Sequence, residues 1–276
     1  MKKTLAQKII FYLAAAVIVI IYFYPIYILM ISSLKPLKQI YINTTSFPTK
    51  DVITWNNFVT SFQGLEYWRT FSNSVMISFG TAALSVLFNS MTAWALTRYK
   101  RKLSNVFYYG FALSMLIPFQ CVMLPLVKYS SMLGMLNRAG LIFVYIGLHS
   151  SLSIVLISGF IKGIPVEIEE AAYIDGGSTY QIFFLVIFPL LKTILITVAI
   201  LSIINTWNDY LLPSLMINKS GWQTLPLKTY LYVSQFVKRW DLATAGLILC
   251  IIPIMIFYLF CQKYIIRGVT EGALKG

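Results

Sequence analysis

Residues 163–189 form a short acidic segment in an otherwise apolar chain and read GIPVEIEEAAYIDGGSTYQIFFLVIFP. Four of the chain's nine carboxylates lie between Glu167 and Asp175. Pro165 suits the first position of a helix, and the acidic side chains after it favour the positive end of the helix dipole. The Gly-Gly pair that follows Asp175 predicts the end of that helix, because glycine accepts the left-handed conformation.

A second helix is predicted directly after the Gly-Gly pair. Ser178 and Gln181 have the spacing of a capping box, in which each side chain bonds the backbone N–H of the other residue. We therefore expect a short acidic helix, a glycine elbow, and a longer helix that runs in a new direction. On these residues alone, the alternative is an ordinary acidic loop between two membrane helices.

The composition indicates an integral membrane protein. The 276 residues are 58% hydrophobic and 11% charged, with a mean hydropathy of +0.76, which is too apolar for an ordinary soluble domain. The net charge of +13 would suit a nucleic-acid-binding protein, but the basic residues lie largely between long apolar runs. We therefore expect no nucleic acid partner. Cys121, Cys250 and Cys261 lie within apolar runs and indicate packing rather than disulfides or a metal site.

Six apolar runs are long enough to cross a bilayer. They are residues 9–34, 73–96, 106–127, 139–161, 189–216 and 242–262. The first run is longer than a signal-peptide core and has no convincing cleavage site, so we expect it to be retained. Pro118 and Pro125 predict a kink in the third run. Residues 32–72 predict an external loop with short interfacial helices.

The basic residues predict which side of the membrane each loop faces. Arg98, Lys100, Arg101 and Lys102 crowd one short loop, and short basic loops mark the cytoplasmic side. Both termini and the acidic segment are therefore predicted to be cytoplasmic. The sequence has no glycine-rich nucleotide loop, so energy for any work at the acidic segment would come from another chain.

The acidic segment resembles the EAA motif of permease subunits of bacterial binding-protein-dependent ABC importers. The resemblance is carried by Glu170-Ala171-Ala172, by Gly176 after three intervening residues, and by Val186-Ile187-Phe188-Pro189. Leu185 stands where these permeases often have a basic residue. The similarity extends over the whole chain, to the MalG-like subunits of the carbohydrate branch. Its further motifs are Asn73-Ser74, Ala93-Trp94-Ala95, Ile117-Pro118, Trp207-Asn208-Asp209-Tyr210, Gln223-Thr224-Leu225-Pro226 and the ending 267–276.

The resemblance implies an all-α, MetI-like permease fold with six transmembrane helices, in a bacterial cytoplasmic membrane. It divides the chain into a first helix with its external loop (1–72), a five-helix core with a coupling helix at about 165–176 (73–263), and a cytoplasmic tail (264–276). The implied partners are a second, MalF-like permease, two ATPase subunits, an extracellular or periplasmic sugar-binding protein, the carbohydrate and the lipid bilayer. ATP and Mg would bind the ATPases, so this chain is expected to hold no cofactor, metal or catalytic residue.

The resemblance also implies which residues meet other subunits. The coupling residues would be Glu167, Glu169, Glu170, Ala171, Ala172, Asp175, Gly176, Gly177 and Pro189. The tail would reach the ATPase through Gly268, Thr270, Lys275 and Gly276. The loop 218–241 would contact the binding protein. Closure of the ATPase dimer on ATP would then pull on the coupling helices and open the pathway outward.

Polar residues in the fifth apolar run are candidates for the substrate pathway. They are Asn205, Trp207, Asn208, Asp209 and Tyr210. Amide, carboxylate and aromatic groups suit sugar hydroxyls and rings, whereas the alternative is hydrogen bonding between helices at the permease interface. The single histidine, His149, indicates either an interhelical packing residue or a proton relay.

Other functions stay open from the sequence. An importer of another small polar solute, such as glycerol phosphate or a polyol, would share these features. A self-contained transporter would need ionisable residues at mid-membrane and internal repeats, and we find neither beyond Asp209 and His149. An intramembrane enzyme would need a nucleophile, a base or a metal constellation, which the sequence does not show.

Overall fold

The fold is all-helical in the residues that this computed structural model describes, 5–99, 102–233 and 238–273. A π-helical turn, Ile182–Ile187, joins α9 to α10, and a 3-10 turn, Leu231–Val233, follows α13. The α-helices are α1 Leu5–Ser33, α2 Leu37–Ile42, α3 Asn56–Gly64, α4 Tyr67–Arg98, α5 Lys102–Ser114, α6 Phe119–Met132, α7 Arg138–Lys162, α8 Glu167–Ile174, α9 Thr179–Gln181, α10 Phe188–Leu190, α11 Lys192–Asn208, α12 Leu211–Met216, α13 Leu225–Tyr230 and α14 Trp240–Ala273.

Up to six segments of the described chain can cross a membrane. Four are single helices: Phe11–Ser33, Tyr67–Arg98, Arg138–Lys162 and Trp240–Tyr264. Two more are bent pairs, in which α5 with α6, and Thr179–Leu190 with α11, pass the same length and hydropathy test together. If each bent pair is one span, the six spans follow the order of the six apolar runs. Helix α4 begins six residues before the run that predicted it, and α14 continues to Ala273 through the start of the predicted tail.

The third span was predicted as one kinked helix, and this prediction is wrong. Helices α5 and α6 are separate and bend by 110° between them. Pro118 is the residue that precedes α6 and has an extended backbone, with ψ at 137°. Proline also disfavours a helical conformation in the residue before it, so α5 has to end on the N-terminal side of Pro118. Pro125 lies inside α6, which continues through it.

If its bent pair is one span, the fifth span begins and ends earlier in the chain than predicted. The expected span 189–216 is divided into α10, α11 and α12, and the segment Thr179–Leu190 meets α11 at 79°. Asp209 ends α11 with an extended backbone, at φ −81° and ψ 131°. Asp209 and Tyr210 therefore follow the helix rather than lie inside it.

The described residues fall into two compact units, the first from Met1–Tyr67 and Lys228–Pro253. In this unit the Asn57 amide donates to the backbone oxygens of Ser33 and Lys35, at 2.9 and 2.8 Å. The Lys35 ammonium is buried and donates to the backbone oxygens of Asn43, Thr44 and Ser46. Burial lowers the pKa of Lys35, and the carbonyl oxygens offset part of the cost of burying its charge. Residues 32–46 are thereby closed into a compact loop.

The second unit comprises Trp68–Leu227 and Ile254–Gly276 and contains the acidic segment. One of its hydrophobic cores joins the ends of α4, α7 and α11 to the π-helical turn. Trp94, Ile161 and Phe183 are buried there, and Ala172 of α8 packs against the same core. Ser78 and Ala82, four residues apart on α4, are both buried, and small side chains at this spacing allow close packing between helices. Helix α8 is therefore attached to a packed core.

Candidate functional site: the α8 projection and a polar cavity

Helix α8 begins with three carboxylates in its first turn. Glu167, Glu169 and Glu170 lie next to the unpaired backbone N–H groups of the helix start, where negative charge is favourable. Val166 is the residue that precedes the helix, so Pro165 lies two residues before the first helical position, which was predicted for it. The predicted short acidic helix is present, and its start is displaced by two residues.

A Schellman motif ends α8, as the Gly-Gly pair predicted. Gly176 has a positive φ of 84°, and its N–H donates to the Tyr173 oxygen at 3.0 Å. The N–H of Gly177 donates to the Ala172 oxygen at 3.0 Å, and a Cβ at Gly177 would lie only 2.8 Å from that oxygen. Ser178 and Gln181 then form the expected capping box. The elbow is therefore determined by local chemistry on both of its sides.

The start of α8 is fixed to the end of α4 by Glu169. Its Oε1 accepts from Arg98 Nε at 2.6 Å, and its Oε2 accepts from Trp94 Nε1 at 2.9 Å. Arg98 also donates to the Ile164 oxygen at 2.9 Å. Glu169 is 5% exposed, and its carboxylate forms an ion pair with Arg98 of the same chain. We call the contact of these three side chains the α4–α8 clamp.

Glu169 thus differs from the role that the resemblance implied for it. It was expected to face an ATPase, but its carboxylate is occupied by Trp94 and Arg98 of its own chain. The sequence contains one sign of this: Trp94 and Arg98 are four residues apart and therefore share one face of a helix. That spacing shows which face is polar at the end of α4. It does not show which glutamate of the acidic segment contacts that face.

The outward surface of α8 gathers most of the other predicted coupling residues. Glu167, Glu170, Ala171, Asp175 and Gly176 are exposed, whereas Ala172 and Gly177 are half-buried. Pro189 is not on this surface, because it lies in α10 beside Ala82, Val86 and Lys192. Gly268 and Thr270 lie on α14 with side chains outside the described set, and Lys275 and Gly276 lie outside the described residues.

Sequence reasoning missed the apolar part of this surface. Ile174 ends α8 with 86% of its area exposed, and Tyr180 and Leu185 are more than 70% exposed. Large apolar side chains beside exposed carboxylates are typical of a surface that another protein covers. The signal in the sequence was Ile174 itself, a large apolar residue that directly precedes the Asp-Gly-Gly end of the helix, where the chain changes direction.

An open pocket of about 570 Å³ lies beside α8. It is lined by Glu170 and Tyr173 of α8, by Arg98 of α4 and by Lys162 of α7, among others. Lys162 also lies over the ring of Tyr108, with its Nζ 5.2 Å from the ring centroid. Basic side chains from two long helices therefore end next to the acidic helix.

The polar residues at the end of α11 point in different directions. Trp207 is buried and packs edge-on against Phe71, with ring centroids 5.8 Å apart. Asn208 is exposed at the last turn, and Tyr210 precedes α12. Asp209 accepts from the Tyr145 hydroxyl at 2.9 Å and from the Leu211 N–H at 2.8 Å. The structure does not bring the five predicted pathway residues to one place.

Two of them, Asn205 and Asp209, line a cavity of about 640 Å³ between α5, α6, α7 and α11. The other polar side chains of its lining are Ser114, Gln120, Tyr145, His149 and Ser151. His149 lies with Nδ1 3.0 Å from Ser202 Oγ of α11 and stacks on Tyr145. This contact agrees with an interhelical role for His149.

Residues 85–271 match the family of binding-protein-dependent transport system inner membrane components. The chain belongs to this family. It is 41% identical over 275 residues to the probable starch degradation products transport system permease protein AmyC of Thermoanaerobacterium thermosulfurigenes, with 100% of both chains covered. It is 33% identical to the melibiose/raffinose/stachyose import permease protein MelC of Bacillus subtilis, over 96% of this chain and 95% of MelC.

A solved structure has the same fold as this permease. It is a bacterial ABC transporter involved in the import of the acidic polysaccharide alginate, and one of its chains superposes with a TM-score of 0.76. The alignment covers 96% of this chain and 99% of that chain at 22% identity, so the likeness concerns the fold alone. The MetI-like permease fold and the resemblance to sugar permeases are thereby confirmed.

Proposed function

We propose that this permease is the membrane subunit of an ATP-driven importer of sugars or oligosaccharides, and that α8 receives a separate ATPase. One observation carries the proposal: an acidic helix with an exposed apolar end is held rigidly on a packed core by the α4–α8 clamp and the glycine elbow. The substrates named for AmyC and MelC, starch degradation products and melibiose, raffinose and stachyose, support carbohydrate as the solute.

The ATPase-facing surface is proposed to be the exposed part of α8. Glu167, Glu170, Ala171 and Asp175 would meet the ATPase, with Ile174 as the apolar anchor. An ATPase that covers this surface would remove the Ile174 side chain from water. Apolar side chains surrounded by charged residues are typical of the centre of a binding interface. Glu169 would transmit the movement of α8 to α4 without touching the ATPase.

The complete importer is proposed to contain four further chains: a second, MalF-like permease, two ATPases that bind ATP and Mg, and an external sugar-binding protein. Both termini and α8 would lie on the cytoplasmic side of a bacterial membrane. Arg98 and Lys162, which end two spans beside α8, support this orientation because basic residues favour the cytoplasmic side. The loop 218–241 would then meet the binding protein, and residues from Gly268 onward would approach the ATPase.

The proposal is tested by reversing one charge on α8 in the full complex. Glu170→Lys should lower both the amount of ATPase that co-purifies and ATP-driven sugar uptake by about tenfold, which is ~1.4 kcal/mol of binding. Asp51→Lys is the matched control, since Asp51 is also an exposed carboxylate but lies far along the chain in the predicted external loop. ATPase co-purification should be unchanged in that variant.

Two results would contradict the proposal. One is wild-type uptake and ATPase binding in Glu170→Lys and in a second variant, Ile174→Asp. The other is sugar transport by the purified permease alone, in liposomes without ATP or any ATPase, which would indicate a self-contained transporter. Uptake of glycerol phosphate in place of sugars would keep the assignment as an ATP-driven importer and would change only the proposed substrate.

A further inference from the structure

The cavity that Asn205 and Asp209 line lies beside the middle of α7, one of the helices that are long and apolar enough to cross a membrane. His149 is about 11 residues from the start of α7 at Arg138 and about 13 from its end at Lys162, which is about 17 and 20 Å along the helix. Both ends of α7 are basic, as expected for the boundaries of a span. A polar cavity at this depth is where transporters of many folds bind their solutes.

The lining of the cavity contains a carboxylate and no ammonium or guanidinium group. Asp209 is the single acidic residue of its lining, which contains neither lysine nor arginine. The carboxylate cannot turn away, because the Tyr145 hydroxyl and the Leu211 N–H hold its two oxygens. At membrane depth a fixed charge acts through a low dielectric, so it opposes anions and leaves neutral solutes unaffected.

The remaining polar groups of the lining suit hydroxyl groups. In the part of the chain described, the amide groups of Gln120 and Asn205 make no hydrogen bond to protein, although both line the cavity. Each amide offers donors and an acceptor, which is the pairing that a hydroxyl requires. Polar groups inside a membrane need partners, and a solute or water in the cavity would supply them.

We infer that this cavity is a subsite for neutral polyhydroxylated solutes and that Asp209 excludes anionic ones. The inference rests on the proposed function and narrows it. Neutral sugars and polyols satisfy the amides and hydroxyls of the lining, whereas glycerol phosphate and uronate-containing saccharides bring a charge toward Asp209. Among the solutes that the sequence left open, the subsite of this permease thereby favours sugars and polyols over glycerol phosphate.

The charge of the cavity is measured by thiol labelling in the full importer, reconstituted in liposomes. Gln120→Cys is introduced after Cys121, Cys250 and Cys261 are replaced by alanine. The introduced thiol is treated with a cationic and with an anionic methanethiosulfonate. The labelling rate of each reagent is divided by the rate at which the same reagent reacts with a free thiol in solution. The cationic reagent should react faster on the order of tenfold, and Asp209→Asn should bring the ratio close to one. Ser131→Cys, exposed near the end of α6 and not in the cavity, is the control whose ratio Asp209→Asn leaves unchanged.

A second arm uses maltotriose and the same trisaccharide with its terminal residue oxidised to a uronate. Maltotriose should slow labelling of the introduced thiol, and the uronate should not. Equal rates for the two reagents in the otherwise wild-type lining would overturn the inference, as would a thiol that neither reagent reaches because the partner permease fills the cavity. If ATP-driven maltotriose uptake persists in that case, only the inference fails. If the charge ratio is as expected but no sugar is transported, the proposed function fails instead.

Discussion

At the scale of single residues, two neighbouring glutamates have opposite environments. Glu169 is 5% exposed and bound by Arg98 and Trp94, whereas Glu170 is exposed at the pocket beside α8. One residue along a helix is a rotation of about 100°, so adjacent side chains cannot face the same neighbour. Glu170, the glutamate of the EAA-like motif, faces outward, whereas Glu169 holds α8 in place through Arg98 and Trp94.

The first prediction concerns this difference. Glu169→Gln should lower the stability of the permease by about 2–3 kcal/mol, below the range for a fully buried pair because Arg98 keeps part of its exposure. Glu170→Gln, the matched control, should leave stability unchanged. The measurement is thermal unfolding of the detergent-solubilised protein. A double variant with Arg98→Gln should lose less than the two single losses added together, since both carry the cost of the same broken pair; full additivity would mean that the pair does not stabilise the fold.

A second residue-level prediction concerns the buried Lys35. Lys35→Met should destabilise the unit that contains it by about 1–3 kcal/mol, because the backbone oxygens of Asn43, Thr44 and Ser46 lose their donor. Lys38→Met removes an exposed lysine from the same segment and should have little effect. Limited proteolysis of residues 36–54 would show the difference. Equal cleavage of both variants would contradict the structural role of Lys35.

At the scale of helices, the breaks are decided by a few backbone positions. Pro118 separates α5 from α6, Asp209 ends α11, and Gly176 ends α8. Each of them carries a backbone conformation that an α-helix cannot contain. The direction of the chain after the acidic helix therefore depends on Gly176, a residue without a side chain.

The third prediction tests the elbow. Gly176→Ala should cost about 1–2 kcal/mol, because φ is +84° and a Cβ is strained in the left-handed region even where space is open. Gly159→Ala is the control, since that glycine lies within α7 with nothing near its missing Cβ and alanine favours a helix. Sugar-stimulated ATPase activity of the complex should fall in Gly176→Ala and persist in Gly159→Ala. Equal activity in both would show that the end of α8 tolerates a changed direction.

At the scale of the whole molecule, the distribution of charge orients the permease. Arg98 and Lys162 end long helices beside α8, whereas Asp51 lies in the segment between α2 and α3. The positive-inside rule then predicts that α8 faces the cytoplasm and that the residues around Asp51 lie outside. Six crossings would return the C-terminal end of α14 to the side of the N-terminus.

The fourth prediction tests this orientation. In intact cells a membrane-impermeant maleimide should label Asp51→Cys and not Asp175→Cys, and both should react after the membrane is opened. The unsubstituted chain controls for its own cysteines, of which Cys121 is exposed. Labelling of Asp175→Cys in intact cells would place α8 outside and remove the basis for an ATPase partner.

Much of the chain's organisation could be read from its sequence. The apolar runs predicted the spans because burial in lipid requires about 20 consecutive apolar residues, whatever the helices pack against. The acidic first turn, the Gly-Gly pair and the Ser178–Gln181 cap predicted α8 and its elbow, because these depend on contacts within a few residues. The fifth span was predicted less well, since the turns at Leu191 and Asp209 interrupt a run whose overall hydropathy predicted one continuous span.

Only the tertiary structure decided which side chain of each polar cluster faces which neighbour. It turned Glu169 toward Trp94 and Arg98, more than 70 residues earlier in the chain, and it separated Asp209 from Trp207. It also brought Gln120 of α6, His149 of α7 and Asp209, which follows α11, to one cavity. The physical reason is that local sequence sets where a helix begins and ends, whereas its rotation is set by all the helices that pack against it.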